Sequence, residues 1–69
     1  MRPEDIQELL DRRPFAPFRI FLTSGDRFDI TLRHSVAVGR GSIFIVLPDD
    51  RWKWVPYSQI ASVETLQAA

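Results

Sequence analysis

Apolar positions near the start of the chain recur at helical spacing. Ile6, Leu9 and Leu10 stand at i, i+3 and i+4 and make one stripe. Pro3 suits a first helical position, where its missing N–H has no intrahelical partner to lose. Glu4 and Asp5 put negative charge at the positive end of the dipole, and Arg12 and Arg13 put positive charge at the other. Pro14 pushes the residue before it out of the α region. The spacing therefore predicts a helix over residues 3–13, too short to stand without docking its stripe.

Beyond the stiff connector Pro14-Phe15-Ala16-Pro17, the period changes to two. Phe18, Ile20 and Leu22 share one face, with Arg19, Phe21 and Thr23 on the other. Ser24-Gly25-Asp26 is turn chemistry, and Phe28, Ile30 and Leu32 then alternate with Asp29, Thr31 and Arg33. Two alternating runs across a short Gly-containing turn predict a β-hairpin. Arg33-His34-Ser35 breaks the pattern before a short apolar piece, Val36 to Val38, and a Gly39-Arg40-Gly41-Ser42 turn.

The run Ile43 to Leu47 is apolar throughout and predicts a central strand covered on both faces. Pro48-Asp49-Asp50 turns the chain into Arg51-Trp52-Lys53-Trp54-Val55, with both indoles on one face. Pro56 ends that strand, Tyr57-Ser58-Gln59 predicts a single helical turn, Ile60 to Leu66 a last strand, and Gln67-Ala68-Ala69 a frayed tail. The fold class is mainly β with an N-terminal α-helix. The expected architecture is a small, strongly bent, antiparallel five-stranded sheet or barrel over residues 18–66, in a single domain of residues 1–69.

Composition narrows the chemistry. A chain of 69 residues buries only roughly 60% of its unfolded surface, so its core is marginal. It has no Cys and one His, which removes disulfides and Cys/His metal clusters as staples. Self-association is the remaining support. The longest apolar run is far below the roughly 20 residues of a spanning helix, and the N-terminus leads into no signal-like apolar segment. A cytoplasmic location, with no membrane partner, is the expectation.

The formal net charge is zero but uneven. Residues 1–11 carry −3, residues 12–40 carry +4 and residues 41–69 carry −1. Eight of the nine basic residues are Arg, which favours planar recognition of carboxylate or phosphate. Arg12, Arg13, Arg19, Arg33 and Arg40 are the candidate binding residues for an acidic partner or an RNA backbone. The other reading pairs these arginines with the acidic helix, within the chain or between copies. Phe21, Trp52, Trp54 and Tyr57 are the candidate interface residues, since large aromatics on an outer strand face need covering.

His34 with Ser35 or Ser58 and Asp29 contains the residue types of a triad, but without supporting spacing, and the expectation is a turn histidine. Asp49-Asp50 lacks the ligand repeat of a calcium loop, and Gly39-Arg40-Gly41-Ser42 is followed by a strand rather than a phosphate-binding helix. No catalytic residue, metal or cofactor is expected.

Two resemblances bear on these expectations. Ala16-Pro17-Phe18-Arg19-Ile20-Phe21-Leu22-Thr23-Ser24-Gly25, after a short helix ending in two arginines, resembles the V-P-V-S-I-Y-L-V-N-G stretch of Sm-like proteins of the bacterial Hfq type. Tyr57-Ser58-Gln59-Ile60-Ala61-Ser62-Val63 resembles the K-H-A-I-S-T-V segment that closes that fold. The resemblance implies an Sm-like, SH3-like barrel and, as an alternative function, RNA binding through an arginine-rich face. The family's uridine-binding Tyr-Lys-His signature is not kept, with Tyr57 and Ser58 standing near its Lys and His. The stretch Arg13-Pro14-Phe15-Ala16-Pro17-Phe18-Arg19-Ile20, with Leu22, Gly25 and His34, is similar to a set of short uncharacterised bacterial proteins. They share an L-R-R-P-F-x-P-F-R-I-x-L-x-D-G pattern and imply no activity. The function expected is a non-enzymatic interaction module that forms homo-oligomers.

Overall fold

The computed structural model describes residues 2–66; the tail expected to fray lies outside them. Helix α1 (Pro3–Asp11) begins with proline in its first turn, and Asp5 accepts a hydrogen bond from the backbone N–H of Arg2 at 3.0 Å. It ends two residues earlier than its charge pattern suggests. Arg12 is already extended at ψ 142°, so neither Arg12 nor Arg13 is helical, and the last turn carries Asp11 instead of a cation. Pro14 disfavours helix at Arg13. Asp11 is satisfied from outside the dipole, by Gln7 and by Arg33 at 2.8 Å.

Six strands follow, not five: β1 (Phe18–Leu22), β2 (Arg27–Ile30), β3 (Val36–Val38), β4 (Ser42–Val46), β5 (Trp52–Pro56) and β6 (Ile60–Thr65). They form two three-stranded sheets, β2-β1-β6 and β3-β4-β5, rather than one bent sheet or a closed barrel. All four ladders are antiparallel. The division has two causes. A 3₁₀ turn at Arg33–Ser35 carries the chain out of the first sheet, and the apolar piece Val36–Val38 then pairs with β4 instead of β2. A second 3₁₀ turn, Tyr57–Gln59, returns the chain so that β6 pairs with β1.

The inner faces of both sheets build one core. Ile6 and Leu10 from α1, Phe18, Ile20 and Leu22 from β1, Ile30 from β2, Ile43 and Ile45 from β4, Val55, Tyr57 and Ile60 are all buried. Each such aliphatic or aromatic side chain contributes about 1.5–3 kcal/mol by leaving water. A register shift between Phe21 and Leu22 lets Ile60, opposite Leu22, face the core as Val63 does opposite Ile20. In the connector, Phe15 packs edge-on to Phe18 with centroids 6.1 Å apart.

The two main hairpins use one turn design. Leu22 donates to the Asp26 carbonyl at 2.8 Å while Gly25 donates back to Leu22; Leu47 donates to Arg51 at 2.7 Å while Asp50 donates back to Leu47. Each three-residue loop ends in a left-handed residue, Gly25 at φ 97° and Asp50 at φ 67°.

Candidate interaction surface

Strand alternation places Ser42, Phe44 and Val46 on the side of β4 opposite the buried Ile43 and Ile45. The register brings Ala37 and Trp54 to either side of Phe44, and Trp52 beside Val46. Phe44 is 39% exposed, Val46 50%, Trp52 66% and Trp54 55%. The Phe44 and Trp52 rings lie 5.7 Å apart at 48°, and the Trp54 indole N–H donates to Ser42 Oγ at 2.6 Å. These contacts orient the rings on the sheet without removing them from solvent. The expectation that β4 is covered on both faces is therefore half met: it is the central strand, but its outer face is open. Phe44 and Val46 are not among the sequence candidates; their alternation in step with Trp52 and Trp54 is the signal that finds them.

Among the aromatic candidates, Trp52 and Trp54 stand together on this face, and the other two lie elsewhere. Phe21 is half-buried on the outer side of β1, between Arg27 and Ser62. Tyr57 is buried in the core and its hydroxyl donates to the Gly39 carbonyl at 2.7 Å, tying the second 3₁₀ turn to the β3–β4 connection. Burial, with the nearby Glu4 carboxylate, raises its pKa.

The arginine candidates do not form one face. Arg19 makes two bonds to Asp29, at 2.6 and 3.1 Å, and holds the Asp29 carboxyl below the usual carboxylate range. Arg33, followed by Gln7, does the same to Asp11, binding it beside Arg13 at the end of α1. Arg12 lines a groove of about 540 Å³ between α1 and β6 with Asp5, Glu8 and Glu64. Arg40 sits apart in the β3–β4 turn. Two of the five are thus ion-paired within the chain.

Asp29, His34 and Ser35 do meet, in a cleft of about 380 Å³ walled by Leu32, Val46, Leu47 and Pro48. Two of the three are engaged elsewhere. Ser35 Oγ donates to the Leu32 carbonyl at 2.7 Å and Asp29 is held by Arg19, and no hydrogen bond joins the three among the described residues. Asp49, although partial burial alone pushes its carboxyl up, is held below the usual range by the Arg51 side chain and backbone N–H. Asp49-Asp50 is thus a turn. No group of three His, Cys, Asp or Glu among the described residues could hold a metal ion, and no helix there is long and apolar enough to cross a membrane.

No family model, curated protein or solved structure matches the chain.

Proposed function

We propose that the protein is a non-enzymatic interaction module that acts by self-association. The observation that carries this reading is the outer face of β3-β4-β5, where Phe44, Val46, Trp52 and Trp54 form one exposed apolar surface. Contiguous apolar area of this kind marks contact surfaces. A marginal core without staples gains stability from a partner by mass action. The engagement of Ser35 and Asp29 away from His34 favours binding over catalysis. The N-terminal helix, the antiparallel ladders and the 3₁₀ turn before β6 support an Sm-like reading of the fold.

Sedimentation velocity from low to high micromolar concentration tests the proposal. A sedimentation coefficient that rises with concentration is expected, and a monomer throughout overturns self-association. Filter binding with uridine- and adenine-rich oligomers at two salt concentrations runs beside it. Retention that falls steeply with salt replaces this reading with nucleic-acid binding; none is expected.

A further inference from the structure

We infer that the outer face of β3-β4-β5 is covered by the same face of a second copy, sheet on sheet about a twofold axis, giving a closed dimer. This rests on the self-association reading and specifies its geometry. Four observations lead to it.

The first is the pattern of β4. Ile43-Phe44-Ile45-Val46 is a continuous apolar run, the composition of a strand buried on both faces. Among the described residues of this strand, only Ile43 and Ile45 are buried by the chain itself. A second sheet stacked at about 10 Å covers Phe44 and Val46 and completes the burial.

The second is charge. Ala37, Ser42, Phe44, Val46, Trp52, Trp54 and Pro56 are the outward positions of this sheet, and none is ionisable. A twofold axis sets each surface against its own copy, so a charged face would meet like charge; this one does not. It also offers no counter-charge to an acidic or basic partner.

The third is area. The four large side chains, with Leu32 reaching the patch through the cleft it shares with Val46, expose roughly 550 Å². Two such faces together bury up to about 1,100 Å², above the roughly 1,000 Å² that a specific interface must clear.

The fourth is the state of the alternatives. Edge pairing is the other route by which small sheets associate, and the edges here are blunted. β3 has three residues, β5 carries Lys53 and ends in Pro56, β2 carries Arg27 and Asp29, and β6 runs beside the acidic α1 groove. Face pairing about a twofold axis also consumes the surface it uses and stops at two copies, whereas head-to-tail edge pairing propagates to rings or fibres.

Both tryptophans of the chain lie on this face, so their emission and acrylamide quenching report its burial directly. The experiment is sedimentation equilibrium with quenching on the full chain and on Trp52→Glu and Val46→Lys. These exposed positions leave the inner core untouched, and far-UV circular dichroism at low concentration verifies folding. The expected result is a dimer whose quenching falls as it forms, with dissociation constants raised about thirtyfold or more in both variants. Larger assemblies, or association that leaves the tryptophans fully quenchable or the variants as tight as the parent, overturn the face-to-face dimer while self-association stands. A monomer at every concentration overturns both.

Discussion

On the outer side of β1, the cross-strand neighbours of Arg19 are Asp29 and Glu64; on the outer side of β4, those of Phe44 are Ala37 and Trp54. The two sheets are built alike in other respects. Each has three antiparallel strands, an apolar inner face and a hairpin with a left-handed third loop residue. They differ in how the outer face meets water. The first sheet pairs Arg19 with Asp29 on its outer face and half-buries its one large apolar group there, Phe21. The second presents indoles and a phenyl ring where the first presents charge. Strand formation and core packing therefore do not require an apolar outer face in this fold, which turns attention from stability to contact when explaining it.

The largest effect tests whether the likeness of the inner faces is energetic. Ile20→Ala in the first sheet and Ile43→Ala in the second each remove a fully buried side chain and should cost about 2–5 kcal/mol. Urea titration should show one cooperative transition for the parent, with tryptophan emission, which reads only the second sheet, coinciding with far-UV circular dichroism. Separate midpoints would break the comparison by showing that the sheets do not share one core.

The hairpins give a middle-sized effect of opposite signs. Gly25→Ala places a side chain at φ 97° in open space, so its cost is conformational and should be about 1 kcal/mol. Asp50→Gly relieves the equivalent position and should gain up to about 1 kcal/mol. Equal signs in thermal melts would show that the loops are not equivalent.

The smallest effect separates the outer faces themselves. Asp29 and Asp11 have folded pKa values lowered by their arginines. Their contribution is fully present above the ordinary carboxylate value, about 3.9, and is lost as pH falls below it through the lower folded value. Melting temperature should drop over that acid window, less so in Asp29→Asn, and less in high salt because these pairs are exposed. Trp52→Glu adds a carboxylate without an arginine and should leave the share due to Asp29 intact. An acid slope that persists unchanged in Asp29→Asn would remove the ion pair from the account of the first face.

Much of the architecture is legible along the chain because it is local. The helical stripe of Ile6, Leu9 and Leu10, the hairpin from Phe18 to Ile30 and the turn at Tyr57–Gln59 all depend on neighbours a few residues away. The partner that satisfies Asp11 at the end of α1 is not local, since Arg33 reaches it from beyond the first hairpin. Tyr57 reads as an interface aromatic in sequence and lies in the core, because its 3₁₀ turn points it at Gly39. His34, Ser35 and Asp29 share a cleft, but hydrogen bonds to Leu32 and from Arg19 commit Ser35 and Asp29, which residue types cannot reveal.

Periodicity of two and of 3.6 set which residues could share a face, and turn residues set where the chain reversed, because both follow from backbone geometry over a few residues. Which of those faces closed on each other was decided in three dimensions. Phe18 finds Thr65 across β1 and β6, Val36 finds Ile45, and no second layer among the described residues covers Trp52 and Trp54. Pairings between distant segments are chosen by the total burial and hydrogen bonding of the whole chain. The alternation alone could not show that Arg19 would be neutralised on one sheet while Phe44 was left open on the other.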